Sequence, residues 1–322
     1  MALFLDVMAF VLKSGIVLSV IVAALFAASV LFRRDADAPR EGRLRTKRLD
    51  ILSASRARAV DAATMTDKQY KAEQKKKEEI GSANPRTFVL RFVGDMHADA
   101  VDGLRECISA IVTAKKDGDD AILVLESPGG TVTGYGLAAS QLQRLQAADV
   151  PLCVCVDQVA ASGGYMMAVV SSEIVAAPFA VLGSIGVLLP VPNVSKLLKR
   201  VGVDYDEMTA GEYKRTVSLA GEITDEGRQK TQEQLEDTHM LFREHIARFR
   251  PELDVDRVST GEIWYGSRAK ELGLVDRIAT SDDVILQRAE TRAVVEVTYE
   301  HPQPLGRKLL GVLGRMTRAV GI

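Results

Sequence analysis

Two short turns in this sequence bring together residue types that can do chemistry. In one, Ser162 is followed directly by Gly163 and Gly164, within Ala160-Ala161-Ser162-Gly163-Gly164-Tyr165. A nucleophilic serine needs small neighbours and a backbone N–H facing the oxyanion that develops on an attacked carbonyl, and this spacing supplies both. The same serine would also serve as the N-cap of the helix that follows, a common and chemically silent role. In the other turn, Glu126-Ser127-Pro128-Gly129-Gly130-Thr131, paired glycines let peptide N–H groups approach a ligand unobstructed, as half an oxyanion hole requires. On its dipeptides alone it is a plain Pro-Gly turn. A serine hydroxyl attacks only when a base takes its proton. Of the four histidines, His97, His239, His245 and His301, none sits in a glycine-rich turn after a strand, and His97 is the least implausible. A lysine can serve instead where burial lowers its pKa; a fall of ~3 units from ~10.4 costs about 4 kcal/mol, so hydrogen bonds must then hold the neutral amine.

The elements that position these turns follow from the pattern of apolar blocks. Short β-rich runs at residues 87–93, 121–125, 152–156 and 174–177 are each followed by a turn or a helical stretch. Strands alternating with helices predict crossover units and a largely parallel sheet buried on both faces, hence an α/β domain. In such sheets ligands sit beyond the carboxyl ends of strands, where both glycine-rich turns fall. Residues 225–249 read as a long amphipathic helix burying Leu235, Leu241, Phe242 and Ile246 and stopped by Pro251. No internal repeat is evident.

Composition narrows the classes of function. A net charge of −2 over 322 residues gives no whole-chain footprint for gripping nucleic acid. The histidines lack ligand spacing and Cys107, Cys153 and Cys155 contain no CxxC, so neither a metal nor a redox site is expected. Cys153 and Cys155 point the same way along a strand and read as small core residues.

The ends have their own character. After an N-terminal segment, 1–13, residues 14–32 are 19 uncharged and mostly apolar positions, about 28 Å as a helix and enough to cross a bilayer. Residues 33–86 hold 15 Lys or Arg against 9 Asp or Glu with no sustained apolar face, and read as a charged linker, partly helical. Its first basic residues can meet anionic headgroups. The main domain is expected over 87–302. The tail, 303–322, is a short basic amphipathic stretch suited to a membrane surface or to docking on a domain. Seven Lys or Arg follow the apolar run within about 20 residues, against Lys13 before it, a bias that favours a cytoplasmic main domain.

These turns, together with Gly134-Tyr135-Gly136-Leu137-Ala138-Ala139-Ser140, Gly183-Ser184-Ile185-Gly186-Val187 and Ala210-Gly211-Glu212-Tyr213-Lys214-Arg215, resemble the signal peptide peptidase A family of Ser-Lys proteases. The likeness runs nearly the whole chain, anchor and linker included. It implies a crotonase-like fold shared with Clp protease, with Ser162 as nucleophile, Lys214 as general base, Ser184 as the hydroxyl that orients the lysine, and the N–H groups of Gly163 and Gly130 as oxyanion donors. It also implies a ring of copies in which one copy can supply another's lysine, and a site outside the inner membrane, opposite to the charge bias. Residues Thr216 to Gly221 depart from the Ser-Pro-rich continuation of other branches, so substrate-loop details do not carry over.

The expected activity is that of a membrane-anchored endopeptidase, without cofactor, acting on signal-derived or membrane-associated peptides through an acyl-enzyme. Two other classes share the fold: an acyl-CoA enzyme, which would need neither Lys214 nor Ser184, and a catalytically idle membrane scaffold.

Overall fold

The four expected strands lie side by side at the centre of one parallel sheet. The computed structural model describes residues 42–64 and 85–300. Its elements begin with β1 (Arg43–Arg48), α1 (Leu49–Thr64), β2 (Arg86–Val93), α2 (Val101–Ala114), β3 (Asp120–Glu126), α3 (Val132–Ala147) and β4 (Leu152–Val156). There follow β5 (Val159–Ala161), α4 (Gly163–Ala168), β6 (Glu173–Ala176), β7 (Val181–Gly183), α5 (Ser195–Arg200) and α6 (Asp225–Phe249). The last are α7 (Val255–Val258), β8 (Ile263–Tyr265), α8 (Gly266–Glu271), β9 (Arg277–Ile278), α9 (Ser281–Ala289) and β10 (Ala293–Glu300). Residues Leu44–Thr298 form one compact unit; the other, Met1–Arg43 with Tyr299–Ile322, lies almost wholly outside the described residues.

The larger sheet has seven strands in the order β1-β10-β2-β3-β4-β6-β9. From β10 to β9 every pairing is parallel, with Val89 opposite Ile122, Ile122 opposite Cys153 and Cys153 opposite Glu173. Parallel strands need crossover helices, and these cover both faces, which is why the central runs are continuously apolar rather than alternating. All five residues of β4 are buried. On one face Val89, Ile122, Cys153, Cys155 and Val175 pack with Val284 and Ile285 of α9, and Leu49 of α1 joins them. Each fully buried Val, Leu or Ile contributes roughly 1.5–3 kcal/mol, so this layer sets the rigid frame from which the loops project.

A second sheet, β5-β7-β8, is smaller: β5 and β7 are parallel, and β7 and β8 antiparallel. It joins the first at Ser127, just past β3, whose N–H donates to Val159 O (2.8 Å) and whose carbonyl accepts from Ala161 N (3.0 Å). The two glycine-rich turns therefore meet where the sheets touch.

Helix α6 has the expected bounds and is capped by Thr224, whose hydroxyl accepts from Gly227 N at 3.0 Å. Phe242 and Ile246 are buried as expected. Leu235 is half-buried, but Leu241 is 59% exposed and is not a core residue. The buried face runs Thr231, Leu235, Phe242, Ile246 at helical spacing, and Leu241 stands about 100° away from it.

The segment read as a linker contributes structure: β1 lies at the sheet edge beside β10, and α1 follows it. Asp50 in α1 accepts from Val294 N at 3.3 Å. Among the described residues no helix is long and apolar enough to cross a membrane. The expected anchor at 14–32, the segment before it and the basic tail at 303–322 lie outside the described residues.

Candidate active site

Ser162 stands between β5 and α4, in a strand-turn-helix corner too tight for ordinary backbone geometry. Its φ and ψ are 51° and −119°, a conformation that favours glycine, and it is held there from both sides. The Ser162 N–H donates to Gly183 O at 2.7 Å, and its carbonyl accepts from Met166 N at 3.0 Å. Such strain costs about 1–3 kcal/mol and persists only where the surroundings impose it, most often at functional sites. The residue occupies the N-cap position of α4, yet its side chain makes no capping hydrogen bond. The silent role open to it in the sequence is therefore not the one it plays. Its hydroxyl is half-buried and uncommitted.

The second turn closes against it. Gly129 has φ +91°, and a Cβ built on it would stand 2.7 Å from Ser162 Cβ and 2.8 Å from Gly163 N. Only a glycine fits. Gly129's own N–H is occupied, donating to Ser127 Oγ at 3.1 Å. That leaves the N–H of Gly130 as the donor this turn can present. Gly163, the first residue of α4, has no acceptor for its N–H within the helix. Gly130 is itself pressed on the backbone of Met96, whose carbonyl accepts from Thr131 N at 2.8 Å.

Ser184 leaves β7 as Ser162 leaves β5. Register pairs Ala161 with Gly183, so the two serines are the next pair along, and both have φ 51°. Ser184 is half-buried and its N–H donates to Glu262 O at 2.6 Å. Ser162, Gly163, Gly130 and Ser184 are thus gathered at the junction of the two sheets.

Lys214 is not joined to them. It lies between α5 and α6, exposed, and its N–H donates to Gly211 O at 3.1 Å. Among the described residues its ammonium group makes no hydrogen bond or ion pair, and none links it to Ser162 or Ser184. His97 is exposed too; its N–H donates to Asp95 Oδ1 at 3.2 Å, and its ring has no bond to Ser162.

Sequence reasoning overlooked a buried polar chain behind the turn. Tyr135 and Ser127 are fully buried and their hydroxyl oxygens are 2.5 Å apart; Tyr135 Oη also donates to Asp95 O at 2.7 Å. Burial raises the Tyr135 hydroxyl above its ordinary pKa, so it stays protonated. The signal available was a tyrosine between two glycines, Gly134 and Gly136, on the first turn of a helix.

Behind α4, His245 Nε2 lies 3.0 Å from Met166 O. Burial, with the Arg248 charge, lowers its pKa, against the pull of that carbonyl. The cysteines are core residues as expected: Cys153 and Cys155 are buried with their sulfurs 4.0 Å apart. The neighbouring Cys155 thiol and burial push Cys153 well up, and burial pushes Cys107 up to about 11, so neither Cys153 nor Cys107 is a ready thiolate. Among the described residues there is no His, Cys, Asp and Glu cluster able to hold a metal ion.

With this geometry in view, the chain matches Peptidase family S49 over residues 144–295 and Peptidase family S49 N-terminal over residues 2–142. The chain belongs to peptidase family S49. It is 53% identical over 221 residues to the probable protease SohB of Haemophilus influenzae, covering 69% of this chain and 63% of that one. It is 51% identical over 215 residues to the probable protease SohB of Buchnera aphidicola subsp. Schlechtendalia chinensis, covering 67% of this chain and 70% of that one. The expected membership of the signal peptide peptidase A family holds, and the relatives that carry it are SohB proteins. A solved membrane-bound stomatin-specific protease superposes with a TM-score of 0.42 at 15% identity, over 66% of this chain and 93% of that one, too weak a likeness to argue from.

Proposed function

We propose that this chain is a serine endopeptidase that works through an acyl-enzyme on Ser162, with Lys214 as general base. The observation that carries the reading is the state of Ser162: a strained backbone, a hydroxyl that makes no capping bond, and Gly129 of the second turn packed against it.

Ser162 Oγ attacks the scissile carbonyl while Lys214 Nζ, as the neutral amine, takes the hydroxyl proton. The carbonyl oxygen, now an oxyanion, is met by the N–H groups of Gly130 and Gly163. Collapse of the tetrahedral intermediate breaks the C–N bond, and the lysine returns its proton to the leaving amine. Water then attacks the ester by the same route and frees Ser162. Ser184 holds the neutral amine of the lysine by a hydrogen bond. No metal or organic cofactor enters these steps.

A base must stand within hydrogen-bond reach of the proton it takes. The exposure of Lys214, and the absence of a partner for it among the described residues, support delivery of this lysine to Ser162 of a neighbouring copy in a homo-oligomeric ring. The uncharged run at 14–32 supports a single-pass anchor in a bacterial inner membrane, with the following arginines on lipid headgroups and membrane-associated or signal-derived peptides as substrates.

The test is casein or peptide cleavage by the full chain in detergent, beside Ser162→Ala and Lys214→Ala. Each substitution is expected to lower kcat by at least about 1000-fold. Cleavage that survives either one contradicts the mechanism.

A further inference from the structure

We infer that Tyr135 is a positioning residue for the oxyanion hole, acting through Ser127 to fix the Gly129-Gly130 peptide against Ser162. The inference rests on the reading of Ser162 as nucleophile.

Proton counting gives the chain its direction. A phenol has one proton, and that of Tyr135 goes to Asp95 O, at 2.7 Å. The 2.5 Å bond between Tyr135 and Ser127 must then be donated by Ser127. With its own proton spent, Ser127 Oγ accepts the N–H of Gly129 at 3.1 Å. The bonds therefore run one way, from Gly129 N–H to Ser127, from Ser127 to Tyr135, and from Tyr135 to the carbonyl of Asp95.

The chain ends at the peptide that precedes the Gly130 N–H. Holding Gly129 N–H inward fixes Gly129 at φ +91°, in contact with Ser162, and so directs the next N–H. The tyrosine also touches the other donor, because its ring packs on Gly163 so closely that a Cβ there would overlap it. A single buried side chain thus bears on both oxyanion donors. It ties in the loop after β2 as well: a Cβ on Gly94 would stand 2.5 Å from Ser127 Oγ, and Met96 in that loop backs Gly130. Ser127 is pinned in turn to both ends of β5, the strand that delivers Ser162, at Val159 and Ala161.

Tyr135→Phe keeps the ring and removes only the hydroxyl. Losing an oxyanion donor outright lowers kcat by about 100- to 1000-fold, so a donor left in place but no longer held should lower it by about 10- to 100-fold. KM should stay within about twofold, since the ground-state carbonyl does not need the hole. Affinity for a peptide boronate, which mimics the tetrahedral intermediate, should fall by the same factor as kcat. Ser127→Ala should match it, and the double variant should be no slower than the slower single one, because all three break the same chain. A kcat within twofold of the parent in Tyr135→Phe, or losses that multiply in the double variant, would overturn the inference. So would a lowered melting temperature with kcat and boronate affinity unchanged, which would mean a structural role alone. Amide hydrogen exchange at Gly129 separates this inference from the peptidase reading. It should quicken about tenfold in Tyr135→Phe whether or not the parent cleaves peptides, and unchanged exchange refutes the positioning role. If the parent cleaves nothing, the peptidase reading alone fails.

Discussion

Ser162 and Gly130 carry the most specific consequences at the scale of single residues. A Cβ on Gly130 would run into the Met96 carbonyl, which is backbone and cannot swing aside. Gly130→Ala is therefore expected to push the turn away from Ser162 and lower kcat by about 100-fold or more while the protein stays folded, as kinetics with circular dichroism will show. Near-normal kcat in that variant would remove Gly130 from the oxyanion hole. The glycine pairs were legible in the sequence because small residues after a strand announce close approach. The fate of the Ser162 hydroxyl was not, since an N-cap serine and a nucleophile can share one local sequence; that this hydroxyl makes no capping bond goes with a backbone angle held by Gly183 of β7, some 20 residues away. Tyr135 was marked in the sequence only by its flanking glycines, and its partners were hidden for a related reason. Its role depends on Asp95 and Ser127 reaching it from two other loops, and nothing in its own neighbourhood names them.

At the scale of elements, the central strands and α6 were legible because burial on both faces, or on one stripe, writes itself into residue type. β1 and α1 were not. An edge strand is held by backbone hydrogen bonds that leave no mark on its side chains, and all six residues of β1 are exposed. α1 has no fully buried residue, so it lacked the stripe that betrays a packed helix. Helix α6 supports α4, the helix that follows Ser162, through the bond of His245 to the Met166 carbonyl, made by the neutral ring donating from Nε2. Because burial lowers the pKa of His245 in the fold, the unfolded chain binds the proton more readily. Stability should accordingly be full above the ordinary value of 6.5 and decline as pH falls through it. Urea unfolding between about pH 8 and pH 5 is expected to show that decline, and His245→Gln, which can keep the donor without titrating, should flatten it. A decline of equal steepness in the variant would clear His245 of the effect.

The whole molecule raises the question of how Lys214, exposed and unbonded to Ser162 among the described residues, could reach a serine. The stretch between β7 and α6 that bears it is rich in exposed apolar side chains: Leu188 is 81% exposed and Met208 97%, with Leu197, Val201 and Tyr213 also exposed. A surface of that kind is suited to contact with another copy. If copies exchange lysines around a ring, an equal mixture of Ser162→Ala and Lys214→Ala chains should recover about a quarter of parental activity, since about one junction in four pairs an intact serine with an intact lysine. No recovery after demonstrated subunit exchange would put the dyad within one chain. Lys214 was named by the family resemblance and not by its own neighbourhood; that it makes no bond to Ser162 among the described residues goes with the long irregular connection bearing it, whose course no periodicity encodes. The central claim, that Ser162 is a nucleophile activated by Lys214, is tested most directly by labelling the full chain with a fluorophosphonate and mapping the adduct by mass spectrometry. A single adduct on Ser162, formed at least about 100-fold more slowly in Lys214→Ala, is the predicted result; an adduct elsewhere, or labelling of Ser162 at the same rate without the lysine, would contradict it.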